Sequence, residues 1–479
     1  MYIRNKQGNN IAMFLLLFVQ YTHLCTFTAN TALHGQYERV PISTTFARKK
    51  ITFLLYIAGR NNLFPFIAPN IEQLKNLGTN DNVTLLVYLN TWHNGALMTQ
   101  RFIVYKHKLV QVGNDSQEDS GDPATLIKAG TWAFTNFPAD TTMLCLWNHG
   151  SGPVDPHSYN RMPNTAGMYK YNTETNLIEL DRTITFLRYI ELYGTDRGIC
   201  YDDATKRYIN HHEVGKALRT ISDISLQGKP IDIFCCDACL MASIELAYAL
   251  KPYKENPVAH FMISSQEVVL AAGYEYQKML SPALSKLVAT KDLARHIVQS
   301  FAESYRHITQ DYTQSAIDLT KIDTVYEAID IVAQLLLEGI ATQEQNSVYR
   351  FIKKSGSKET CTHFQEPTYK DLHHLFSNMI HNLTMITLKN PESTQLFRSR
   401  LSQALTFACH TITDAVLANV VGKNISRAHG ISIYLPLDER VHSSYTQTDF
   451  ARSSSWLNFI KTYTQHRTID EATNLATPL

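Results

Sequence analysis

Apolar residues along this chain fall into short, nearly continuous runs. Between the runs they recur every three or four positions. The runs are Lys50 to Ala58 (KITFLLYIA), Val83 to Leu89, Thr142 to Trp147, Ile231 to Cys235 and Val258 to Ser264. A run that is apolar on both faces predicts a strand buried inside a parallel sheet. Helical spacing predicts helices over Ile67 to Leu77, stopped at Gly78, and from Asp122-Pro123 to about Phe134. A short helix is expected from Asn210 to Leu218, and another where Leu240, Ile244, Ala247 and Tyr248 share one face. Phe102 to Val112 reads as an antiparallel or edge pair. This alternation through about residue 280 predicts an α/β domain with a doubly wound sheet.

Beyond about residue 283 the pattern turns helical, over Lys291 to Arg306, Asp323 to Gly339, Asp371 to Leu388 and Pro391 to Leu417. A polar stretch, Lys353 to Thr368, interrupts it. His429 to Pro436 (HGISIYLP) reads as a strand stopped by proline, and a last helix is expected around Trp456 to Tyr463. No internal repeat is present. The predicted division is a signal segment over 1–29, an α/β domain over 50–283 and a helix-rich region over 284–465.

Two stretches depart from the pattern. Arg4 and Lys6 precede Ile11 to Val19, an apolar run followed by small and polar residues through Ala32. The run is shorter than the roughly 20 residues a membrane span needs. Its order is that of a secretory signal, which predicts an exported protein. Pro153 to about Arg197 is polar, weakly periodic and carries Arg161, Lys170, Arg182, Arg188 and Arg197. A loop this long within a domain predicts a functional or processed segment.

The formal net charge of +1 gives no reason to expect nucleic acid or an anionic membrane as partner. The eight cysteines are 25, 145, 200, 235, 236, 239, 361 and 409. Seven remain after a signal segment is removed, too few for a disulfide-built scaffold.

The chemistry concentrates at the ends of two apolar runs. His149-Gly150 follows Thr142 to Trp147, and Asp237-Ala238-Cys239 follows Ile231 to Cys235. In open α/β sheets the carboxyl edge is where ligands bind. A strand, a sharp turn and a helix would place the Cys239 thiol in a first helical turn, where backbone N–H groups stabilise a thiolate. A thiolate beside an imidazole is a minimal kit for acyl transfer. The backbone N–H groups of Gly150 and Cys239 are candidate oxyanion donors. Asp237 has two readings: the N-cap of the following helix, which the local pattern favours, or a pocket wall that binds a cationic side chain. Glu267 and Glu275 are further acidic candidates for such a pocket. Cys236-x-x-Cys239 also fits a thiol–disulfide oxidoreductase, and a bond between these two cysteines would silence a peptidase. A chain that keeps the fold only as a binding module is a third reading. No second close pair of cysteines or histidines accompanies Cys236 and Cys239 to suggest a structural zinc site.

These motifs resemble the clostripain family of cysteine peptidases, in the caspase, gingipain and legumain clan. YIAGRNNL at 56–63, LWNHGSG at 146–152, DACLM at 237–241, SSQE with GYEY at 264–276, SAIDL at 315–319 and HGISIYLP at 429–436 carry the resemblance, which spans about 50 to 465. It implies a caspase-like sandwich, with a mostly parallel central sheet flanked by helices. It implies His149 as general acid/base, Cys239 as nucleophile and Asp237 as determinant of Arg or Lys at P1. It also implies cleavage in the 153–197 segment into two chains that stay together, and in some members calcium. Arg60, Asn90 and Asn148 stand where the family is often acidic, which lowers the expectation of calcium. No cofactor is otherwise implied.

Overall fold

The computed structural model describes residues 37–93, 95–154, 165–183, 185–186, 198–285, 288–342 and 344–475. The predicted signal segment and much of the 153–197 loop lie outside the described residues. Among the described residues no helix is long and apolar enough to cross a membrane.

Strands β1 (Glu38–Val40), β2 (Lys49–Ala58), β3 (Val83–His93), β4 (Ala96–Tyr105), β5 (Lys108–Val112) and β6 (Ala139–Trp147) come first. Two ribbons follow, β7 (Tyr169–Asn172) with β8 (Leu177–Leu180), and β9 (Ile199–Asp202) with β10 (Arg207–Ile209). Then come β11 (Ile231–Asp237), β12 (Ala259–Ser264), β13 (Thr313–Asp318), β14 (Tyr369–Asp371), β15 (Val416–Val421) and β16 (Ser432–Tyr434). Ten of these strands form one sheet in the order β1-β5-β4-β3-β2-β6-β11-β12-β13-β15. Its centre, β3-β2-β6-β11-β12, is parallel. The expected runs all lie here, because helices cover both faces and leave no polar side for alternation.

Local chemistry explains most boundaries. Asp122 caps the helix Pro123–Asn136 by accepting from the Ala124 N–H. Asn210 and Glu213 form a capping box that starts the helix His211–Ser225, which is longer than expected. Gly78, at φ 72°, ends Ile67–Leu77.

The region after residue 283 is not only helical. β13 and β15 extend the sheet by antiparallel pairing beyond β12. Val416 and Leu417, expected within a helix, belong to β15. The polar stretch from Lys353 begins inside a helix, Gln345–Gly356. The 153–197 segment contains the β7–β8 hairpin rather than loop alone. Its Arg182 reaches two buried carboxylates, Glu267 at 2.8 Å and Asp311 at 3.1 Å.

Candidate active site

Register brings the two motifs together. In the parallel pair β6–β11, Trp147 stands opposite Asp237 and Cys145 opposite Cys235. The strands end side by side, so the chain beyond each emerges at the same carboxyl edge. His149 and Cys239 line one cleft with Leu63, Trp147, Asn148, Asp237, Ala238, Val269, Leu270, Ala271 and Gly273. Gly150 crosses so close to the turn that carries Cys239 that a Cβ there would lie 2.4 Å from the Cys239 carbonyl oxygen. Only glycine permits that approach.

The imidazole is held from a direction the sequence did not suggest. His149 Nε2 lies 2.7 Å from Asn62 Oδ1, a bond in which Nε2–H donates to the amide. Asn62 sits in the loop after β2. Neighbouring Asn61 and Asn148 both donate to the Ala58 and Tyr201 carbonyls, and the Tyr201 N–H donates to Asn148 Oδ1. An Asn-rich loop after a strand was the available signal, since short amides satisfy turn backbone. Its aim at His149 depends on a contact 87 residues away.

The thiol does not sit in a helical turn. The helix starts at Ile244, five residues after Cys239, and Ser243 is its N-cap. Cys239 lies in a turn in which Leu240 takes φ 61°. The expected support from a helix N-terminus is therefore absent, and so is the strand–Cys-x-x-Cys–helix arrangement of a thiol oxidoreductase. Instead the Val269 N–H donates to Cys239 Sγ at 3.3 Å, and the thiol donates to the Val269 carbonyl at 3.7 Å. Cys236 is a free, buried thiol whose pKa is pushed up by burial. No disulfide joins the seven cysteines within the described residues.

Asp237 is not a helix cap. It ends β11, and its carboxylate accepts the Tyr274 N–H at 3.0 Å and the Tyr276 hydroxyl at 2.7 Å. Burial lifts its pKa to about 6, and these two bonds oppose the rise. Glu267 and Glu275 are not brought to the cleft wall. Glu267 is fully buried, paired with Arg182, and accepts the Val268 and Gln365 N–H groups. Glu275 is on the surface, paired with Lys278 at 2.7 Å and accepting from the Ser304 hydroxyl.

Arg60 is fully buried beside the site. Its guanidinium meets the Asp202 carboxylate at 2.5 and 2.6 Å, and Ser120 donates to the same oxygen through its N–H and hydroxyl. A guanidinium in this position does not fit a calcium ion near the first strands, where hard oxygen ligands would be needed. Among the described residues no cluster of three or more His, Cys, Asp or Glu could hold a metal.

The chain matches the clostripain family model over residues 55–188 and 186–463. It belongs to the clostripain family, the C11 cysteine peptidases. It is 22% identical over 398 residues to clostripain of Hathewaya histolytica, covering 74% of this chain and 66% of that one. It therefore spans just under two-thirds of that relative's length. Two solved structures share its fold, each with a TM-score of 0.52 and 17% identity. One is a secreted C11 cysteine protease from Bacteroides thetaiotaomicron bound to an irreversible peptide inhibitor, covering 86% of this chain and 99% of that one. The other is an inactive zymogen C11 protease from Parabacteroides distasonis, covering 85% and 99%. The caspase-like α/β sandwich expected from the sequence is the fold of this clostripain-family chain.

Proposed function

We propose that this protein is an exported cysteine endopeptidase that cleaves after Arg or Lys with a His149–Cys239 dyad. One observation carries the reading: His149, Cys239 and Asp237, from the ends of two adjacent parallel strands, line a single cleft. With Nε2–H donating to Asn62, His149 Nδ1 is the nitrogen that takes the thiol proton. The Cys239 thiolate adds to the substrate carbonyl. The imidazolium then protonates the leaving amine, and water releases the acyl group from sulfur. The Gly150 and Cys239 N–H groups serve the oxyanion. Asp237, buried and acidic, accepts a charge-assisted bond from the P1 guanidinium or ammonium.

Export rests on the N-terminal pattern and on a relative described as secreted. Cleavage within 153–197 is supported by a relative described as an inactive zymogen. No cofactor is required in this reading. Chelation by EDTA should therefore leave both activity and melting temperature unchanged, and a loss restored by calcium would overturn that part.

Hydrolysis of fluorogenic Arg, Lys and Asp peptides under reducing conditions, beside Cys239→Ala, tests the whole. Turnover of the basic peptides, abolished in the variant, is expected. No turnover, even after trypsin nicks the 153–197 segment, would favour a silent fold.

A further inference from the structure

The Asp237 carboxylate uses its two oxygens differently. Oδ2 accepts both the Tyr274 N–H and the Tyr276 hydroxyl, whereas Oδ1 accepts no hydrogen bond from any described residue. Asp237 lines the cleft, and Gly273 wraps so tightly around it that a Cβ there would lie 2.4 Å from Oδ2 and 2.8 Å from Oδ1. The loop from Gly273 to Tyr276 is thus fitted to the carboxylate.

The hydroxyls divide the task. Tyr274 donates to the Cys236 carbonyl at 3.0 Å, and Tyr305 donates to the Gly273 carbonyl at 3.1 Å. Both fix backbone. Tyr276, fully buried, sends its hydroxyl to the Asp237 side chain, with Cys145 Sγ 3.8 Å away as its other neighbour. A phenylalanine would fill the same space, so packing alone does not call for the hydroxyl.

We propose that Tyr276 is the positioning residue for basic specificity: its hydroxyl anchors Oδ2 so that Oδ1 is presented to the P1 cation. This rests on the reading of Asp237 as the P1 acid. The groups facing Asp237 are Cys235 and Cys236 on its own strand, Cys145 and His149 from β6 and its loop, Tyr274 and Tyr276 from the fitted loop, and Tyr305 from the helix Thr290–Tyr305. Burial raises the pKa of these tyrosines and of Cys235 and Cys236, so they stay neutral near pH 6. His149 serves basic and neutral substrates alike, so its contribution cancels in their ratio.

The test compares matched peptides with Arg or neutral citrulline at P1, from pH 5 to 9, for the full chain and Tyr276→Phe. Enzyme concentrations are set by titrating Cys239 with an alkylating reagent. In the parent protein the Arg-to-citrulline ratio of kcat/KM should be high at pH 8 and fall as pH drops through about 6, where Asp237 protonates. In Tyr276→Phe the ratio should fall about tenfold, through KM. Its decline should begin at higher pH, because a bond favouring the carboxylate has gone. Cys145→Ala, which removes the hydroxyl's other neighbour, should leave the ratio intact. An unchanged ratio and pH profile in Tyr276→Phe, with Asp237→Asn abolishing the preference, would overturn the proposal alone. No preference in the parent protein would overturn the basic-P1 reading as well. An equal fall in Cys145→Ala would reduce Tyr276 to packing.

Discussion

At Gly273 one hydrogen atom leaves room for the Asp237 carboxylate. The residue has φ 67°, in the left-handed region, and faces the Asp237 carboxylate at a separation no Cβ tolerates. Gly273→Ala should therefore push the carboxylate or the loop aside. We expect at least a tenfold loss in kcat/KM on Arg peptides, with a smaller loss on neutral ones, read by steady-state kinetics. Asn62 acts on the other half of the site. Its amide fixes the tautomer and direction of the His149 ring, and Asn62→Ala should lower kcat by roughly 10- to 100-fold with little change in KM, as losing a residue that orients a general base does. A change confined to KM would argue against this role.

At the scale of elements, the loops that carry His149 and Cys239 are held by contacts from elsewhere in the chain. β9 sits beside the loop after β6: Gly150 pairs with Ile199, Tyr201 bonds Asn148, and Asp202 bonds Arg60. The β14–β16 ribbon holds the other side. Tyr369 donates to the Ser151 carbonyl at 2.6 Å, and Gly152, at φ 72°, lies against its ring. Breaking the buried ion pair leaves an unpaired charge where no water reaches. Arg60→Met or Asp202→Asn should each cost about 3–5 kcal/mol, seen as a lower melting temperature. The pair of changes together should cost less than their sum. Full additivity in that double-mutant cycle would show that the two side chains do not interact.

The molecule as a whole carries buried titratable groups that make its stability depend on pH. Glu245 lies in the helix Ile244–Leu250 and accepts from the Tyr434 N–H and the Tyr445 hydroxyl. Burial raises its pKa to about 7, above its ordinary 4.5. The folded protein therefore binds this proton more tightly than the unfolded chain, and stability falls as pH rises from about 4.5 to 7. His211 behaves oppositely. Both ring nitrogens are buried without a partner, and burial lowers its pKa to about 4 from 6.5. Its contribution is present above pH 6.5 and is lost as pH falls toward 4. Glu245→Gln should flatten the pH 4.5–7 limb of a stability profile, by up to roughly 3 kcal/mol of unfolding free energy. A profile unchanged by that substitution would show that Glu245 does not titrate in this window.

By itself the sequence determined the parallel core, because strands buried on both faces must be apolar without alternation. It also placed His149 and Cys239 at strand ends, where a doubly wound sheet binds its ligands. The strands β13 and β15 were not legible. Each is short and pairs antiparallel at the sheet edge, and β15 follows a 25-residue helix directly. The fates of the acidic candidates were equally hidden. Asp237, Glu267 and Glu275 look alike as carboxylates near the motif. Asp237 lines the cleft, Glu267 is taken by Arg182, and Glu275 meets Lys278 on the surface. The helix expected around Cys239 gave way to a turn that long-range contacts impose: Leu240 N–H donates to the Glu267 carbonyl, and Val269 meets the thiol. Pattern reports how a residue sits in its own element. Which charge meets which, and which amide points at the imidazole, is decided by residues tens to hundreds of positions away, and only tertiary packing brings them together.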